Sequence, residues 1–273
     1  NHTNAWRIVS ALEGKRSEGG CECSAEFQRA HYANIGRNNL NEEFDLDRAR
    51  EADEFVADFI ASGRGKSGNE SFTEAHVRRA YRRLRQCSPG IDGLSKKWVE
   101  PFFAHRPLLA AVTALFSYIY NRGITIGDWA LAIIVSIKKK GASCSDLDNF
   151  RGVHLLSIFR QWYALCLVPF LDELVDKRVP CEQQGFWKGG RVYASYMALF
   201  AIIEEARRTE SQLFVAFVDV KKAFPSVRRG VLWKKIAELG ASDCLISALM
   251  ALYSDACASV RGPDGLSSTF SVG

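Results

Sequence analysis

Six apolar residues that end on a carboxylate constrain the fold of this chain most: Leu213-Phe214-Val215-Ala216-Phe217-Val218, then Asp219. The run is short, aromatic and β-branched, which predicts a strand buried on both faces. An ionised carboxylate at the end of a core strand needs compensation, from a cation or a metal. A plainer alternative is a strand that ends at the surface, with Asp219 solvated or paired to Lys221 or Lys222. The short pattern alone favours that alternative, and other stretches have to decide. Phe224 follows five residues after Asp219, and Pro225-Ser226 then turns the chain.

The 273 residues, 47% of them hydrophobic, are enough for a sizeable core and one or two domains. A net charge of +5 is compatible with nucleic acid without being diagnostic of it. Cys21 and Cys23 stand too close together for usual zinc spacing, and reduced thiols in an intracellular protein are the expectation. No signal peptide or bilayer-length apolar run is present, so a nuclear or cytoplasmic place is expected with no address to choose between them. The chain lacks an initial Met and stops at Gly273 in strand-like sequence, which reads as a piece of a longer product.

Residues 1–60 read as polar amphipathic helices, with apolar stripes at Trp6–Leu12, at Phe27, Tyr32 and Ile35, and at Phe44, Leu46, Phe55, Val56 and Phe59. The Gly- and Ser-rich stretch 62–71 is the best linker; its Gly-Lys-Ser lacks the spacing of a phosphate loop. Ser71 or Thr73 then caps a helix to about Gln86, with Val77, Ala80, Tyr81 and Leu84 inward. Its arginines, Arg78, Arg79, Arg82, Arg83 and Arg85, read equally as a solvated face or as phosphate contacts. Ser88-Pro89-Gly90-Ile91-Asp92-Gly93 is a dense turn sequence. One or two apolar helices follow over 98–122, ending near Gly123.

Trp129–Ile137 predicts a strand, and Asn149–Leu156 returns after a basic and polar loop. Ser157–Lys177 is a long helix that Pro169 should kink or break, with Ile158, Trp162, Leu165, Leu171 and Leu174 as core. Further on, Tyr196, Leu199, Phe200 and Ile203 share a helix face, and Glu204 pairs with Arg208. A helix from Val227 to Leu239 should turn Leu232, Ile236 and Leu239 inward and stop at Gly240. Ser242 caps another helix with Leu245, Leu249 and Leu252 on one side, and a hairpin turns around Gly262–Gly265.

Four of these stretches, in this order, carry a resemblance. Pro89-Gly90-Ile91-Asp92-Gly93, then Lys139 with Asn149-Phe150-Arg151, then Gln183-x-Gly185-Phe186 with Arg191, then Asp219-Val220-Lys221-Lys222-Ala223-Phe224 resemble motifs of reverse transcriptases of non-LTR (LINE-type) retrotransposons. The resemblance covers roughly residues 71–273. Gly152 departs from it where relatives carry Pro, and Pro225 where many carry a second aspartate.

The resemblance implies a helix-rich α+β fold of right-hand polymerase type: fingers with an incomplete palm. A helical extension and linker would take residues 1–70, a fingers-like region 71–194, and a partial palm 195–273. It implies RNA-directed DNA polymerisation by two Mg²⁺ ions, with an RNA template, a DNA primer and deoxynucleoside triphosphates as partners. Asp219 would be catalytic and bridge both ions, and the Val220 carbonyl would hold one. Lys139 and Arg151 would grip the triphosphate, because a Lys and a forked Arg neutralise its charge in fixed geometry. Phe224 would gate against a 2′-hydroxyl, and Gln183, Gly185, Phe186 and Arg191 would lie along the template. Relatives carry a paired-aspartate motif on a later hairpin; residues 228–273 hold only the isolated Asp243, Asp255 and Asp264. Fingers plus partial palm, inactive alone, is therefore the expectation. The alternative is a non-catalytic RNA-binding or decayed retroelement-derived domain.

Overall fold

The computed structural model describes residues 21–37, 43–63, 71–139, 146–176, 178–180, 182–186, 190–220, 223–224 and 227–272. The stripe at Trp6–Leu12, most of the linker, the loop 140–145 and Lys221, Lys222, Pro225 and Ser226 lie outside them. Nine helices and five strands are present among the described residues. In chain order the first are α1 (Ala25–Arg37), α2 (Glu43–Ser62), α3 (Glu74–Arg83), α4 (Lys96–Ala104) and α5 (Arg106–Arg122). Strands β1 (Leu131–Lys138) and β2 (Phe150–Leu155) come next, then α6 (Ile158–Val175), α7 (Val192–Arg208), α8 (Arg229–Glu238) and α9 (Asp243–Tyr253). Strands β3 (Cys257–Gly262), β4 (Gly265–Leu266) and β5 (Phe270–Ser271) close the sequence. The protein is a helix-rich α+β structure with a small mixed sheet.

Local chemistry starts and stops the helices where the sequence signals lie. Thr73 Oγ1 accepts from the His76 N–H to open α3, and Ser242 Oγ accepts from the Leu245 N–H to open α9. Gly123 ends α5 in the left-handed region at φ 57°, where a glycine carries no Cβ penalty. The apolar stretch 98–122 becomes two helices bent by 106° around His105. Among the described residues no single helix is long and apolar enough to cross a membrane.

The main core forms where α3, α5, α6 and α9 meet. Trp162, on α6, is fully buried, and its indole N–H donates to the Val77 carbonyl at 2.8 Å. Tyr81, Phe116 and Phe159 surround that ring. Such a buried indole adds large apolar area while its polar end stays paired. Pro169 does not break α6, which continues to Val175; Ile158 and Trp162 are buried as expected, Leu165, Leu171 and Leu174 pack half-buried against the core, and Tyr163, Cys166 and Leu167 are buried in it as well. In α8 Trp233 and Ala237 are buried and Ile236 packs against the core as expected, whereas Leu232 is exposed, so the helix is rotated somewhat from the expected face. Packing against α2 and α9 decides that rotation; the periodicity leaves more than one apolar face available.

Strand β1 is the centre of the sheet. It pairs antiparallel with β2 and parallel with β3, and β3 pairs antiparallel with β4 and β5. The observed β1 starts two residues after the expected Trp129, which sits in a 3-10 turn at Gly127–Trp129. Alternation divides the sheet: Ala132 and Ile134 cluster with Ala258 and Val260 on the face that α1 covers, and Ile133, Val135 and Leu155 cluster on the other. The turn at Ser88–Gly93 docks on the exit of β2, where a Cβ on Gly90 would lie 2.5 Å from the Leu156 carbonyl carbon.

The expected strand at Leu213–Val218 does not form. Residues 211–220 have neither helix nor strand geometry, every one is exposed, and Phe214, Phe217 and Val218 are 85–92% exposed. A strand needs a neighbouring ladder for its N–H and C=O groups, and the described sheet does not pair with these residues. Helix α7 shares this lack of packing, with no buried residue. Its ion pairs are Glu204–Arg207 and Glu205–Arg208, in place of the expected Glu204–Arg208.

Candidate functional site

The β1–β2 hairpin positions two of the expected residues. Ser136 faces Gly152 across the ladder, Ile137 faces Arg151, and Lys138 faces Phe150. Just past β1, the Lys139 N–H donates to the Asn149 carbonyl at 2.9 Å, which extends the pairing by one step. Side chains alternate along a strand and opposite residues share a face. Ile137 and Arg151 therefore share a face, and Lys139 returns to it. Arg151 and Lys139 are both exposed, and Lys139 Nζ donates to the Asp148 carbonyl at 2.6 Å. Two cationic groups thus stand at one end of one hairpin and on one side of it.

The expected template residues fold on themselves. The Gln183 side-chain amide donates to the Gly185 carbonyl at 2.8 Å, and the Arg191 N–H donates to the Gln184 side-chain oxygen at 2.8 Å. Phe186 is fully exposed and held at φ 64°, a left-handed conformation that costs a residue with a Cβ. Strain of this kind persists only where neighbours impose it. Val175, Arg178, Val179, Pro180, Glu182 and Leu239 line an open depression beside Gln183. Arg191 is exposed at the start of α7.

Phe224 meets this stretch. Its ring stands edge-on to Phe186, with centroids 6.3 Å apart and planes at 86°. The expected gate and one expected template residue are therefore brought together. Asp219 and Val220 lie on the exposed segment before Phe224, outside the sheet. The carboxylate is thus not placed at the end of a core strand.

A pair of Mg²⁺ ions calls for several oxygen ligands at short range. Among the described residues no group of three or more His, Cys, Asp or Glu side chains comes together, and the expected donors reduce to the Asp219 carboxylate and the Val220 carbonyl. That set does not fit two ions.

Two residues that the sequence does not single out, Gln28 and Ser136, and a third that it places only on an apolar stripe, Tyr32, bear on the hairpin. Gln28, Tyr32 and Ser136 join α1 to β1 through one buried and one partly buried hydrogen bond. A signal for them was present: Ser136 is a hydroxyl inside an otherwise apolar strand, and a buried polar group requires a partner. Compared with models of known protein families, the chain matches none.

Proposed function

We propose that this chain is the fingers and first part of the palm of an RNA-directed DNA polymerase of the non-LTR retrotransposon type, and that its own residues handle the nucleotide and template. The observation that carries the reading is the hairpin: Lys139 and Arg151 share one end and one face of β1–β2. A triphosphate concentrates negative charge at one end of a nucleotide. A point-charge ammonium and a planar guanidinium on one rigid hairpin suit that end, and charge-assisted bonds are the strong kind. The exposed Phe186 and Phe224 rings supply flat apolar surfaces on which a base or sugar can rest. The described donors do not by themselves make up a two-ion centre.

A second reading, a non-catalytic RNA-binding module, is favoured by one observation. Asp219 sits on an exposed segment outside the described sheet, so no core strand holds its carboxylate.

Calorimetric titration of the chain with a deoxynucleoside triphosphate and with the matching monophosphate tests the first reading. Tighter binding of the triphosphate is expected, weakened about tenfold by K139A or R151A. Equal binding of the two nucleotides, or variants that bind like the unmodified chain, would reject it. Tight RNA binding with that result would favour the second reading. Primer extension with Mg²⁺ by the chain alone is expected to give no product, since one carboxylate cannot hold two ions.

A further inference from the structure

Helix α1 is fastened to the back of the hairpin by a closed set of polar contacts. Gln28 is 1% exposed, yet both ends of its amide are satisfied. Its oxygen accepts from Ser136 Oγ at 2.6 Å, and its nitrogen donates to the Cys23 carbonyl at 2.7 Å. Ser136 has one proton and gives it to Gln28, so the Tyr32 hydroxyl, 2.9 Å away, donates to Ser136. The Tyr32 ring lies where a side chain at Gly152 would be, Cε1 being 2.8 Å from the place of a Cβ. In its first turn α1 also holds the β3–β4 hairpin: the Ala25 N–H donates to Asp264 Oδ1 at 2.8 Å and the Ser268 N–H to Glu26 Oε1 at 2.5 Å.

These contacts fall on the face opposite the two cationic side chains. Ser136 and Gly152 oppose each other in the ladder and face α1; the next pair, Ile137 and Arg151, faces away. Lys139 shares the Arg151 side. A slip of one residue would turn every side chain to the wrong face. It would also leave the Gln28 amide and the Ser136 hydroxyl buried without partners, which is costly. The polar set therefore selects one register and one tilt of the hairpin.

We propose that α1 is a positioning element for triphosphate binding: Gln28, Ser136 and Tyr32, with the Tyr32 ring seated on Gly152, hold Lys139 and Arg151 at the separation that one deoxynucleoside triphosphate requires. The proposal rests on reading the hairpin as a nucleotide grip. None of the three residues touches the ligand; they act through the hairpin.

The test compares the unmodified chain with Q28L, S136A, Y32F and K139A. Deoxyadenosine triphosphate and deoxyadenosine monophosphate are titrated by calorimetry, with hydrogen exchange read at the Lys139 amide. The expected result is a preference for triphosphate that falls about tenfold in S136A and Q28L. Faster exchange at Lys139 and a retained cooperative melting transition should accompany it. Weakened triphosphate binding in K139A alone, with S136A and Q28L like the unmodified chain, overturns this inference and leaves the nucleotide reading standing. A loss of triphosphate and monophosphate binding in equal proportion makes the role structural and also overturns it. No preference for triphosphate in the unmodified chain overturns the nucleotide reading, and this inference with it. Should S136A and Q28L not fold, Y32F carries the same comparison, because it removes one donor and keeps the ring on Gly152.

Discussion

The Tyr32 ring occupies the space that a side chain at Gly152 would need. Its Cε1 lies 2.8 Å, and its Cζ 3.2 Å, from where a Cβ would stand, and Ile134 Cγ2 closes the other side at 3.1 Å. A glycine at this point of β2 is therefore a requirement of helix packing on the sheet. From the sequence, Gly152 stands out only as a departure from Pro in the motif it resembles.

G152A is expected to destabilise the protein by about 1–3 kcal/mol, the usual range for overpacking a filled site. Equilibrium denaturation measures it. Y32L removes the two closest ring atoms, so G152A should cost less in that background. Equal costs in the two backgrounds would show that the ring does not set the constraint.

Two neighbours on α6 predict opposite outcomes. W162F deletes the donor to the Val77 carbonyl and shrinks a fully buried ring, so a loss of about 2–4 kcal/mol is expected. The Tyr163 hydroxyl is buried and finds no hydrogen-bond partner among the described residues. Y163F removes a buried polar atom that gains nothing, and should be neutral or stabilising by up to about 1 kcal/mol. Urea midpoints of the two variants, measured side by side, check both signs.

Burial pushes the Cys166 thiol up to about 12 from an ordinary value of 9.0. Burial also raises the neighbouring Tyr163. A raised pKa means that the folded state keeps a proton that the unfolded chain releases. Stability from this group is therefore complete below about pH 9 and is lost as pH rises from there toward 12. The slope from one such group is at most about 1.4 kcal/mol per pH unit. Unfolding free energies from pH 8 to pH 10.5 should fall, and C166A should flatten the fall. Native protein should also hold this thiol unreactive toward alkylation until it unfolds.

Hydrogen exchange separates the two apolar runs that the sequence makes look alike. Amides of β1, paired on both sides by β2 and β3, are expected to be protected. Amides of 213–220, exposed and outside the sheet, are expected to exchange within the dead time. Protection at Phe214–Val218 in the isolated chain would contradict the observed conformation.

Signals that act within one helical turn were legible from the residues alone. The Thr73 and Ser242 caps, the left-handed stop at Gly123 and the buried face Val77, Ala80, Tyr81 and Leu84 all depend on neighbours a few positions away. The antiparallel return of Phe150–Leu155 onto β1 was also expected, across a connection of eleven residues, 139–149. That Lys139 and Arg151 share a side of the hairpin needed the register, and the register is set by Ser136 against Gly152 and by what α1 brings to them.

Long-range pairing decided the rest. An apolar, β-branched run specifies a tendency to extend, but a strand exists only where another backbone meets its N–H and C=O groups. LAIIVSI finds β2 and β3; LFVAFV meets no strand of the described sheet, although its composition is the more strand-like of the two. Likewise Trp233 rather than Leu232 turns inward because α2 and α9 fix the rotation of α8. Residue type sets what a segment can bury; which face it buries, and against which partner, is a property of the packed molecule.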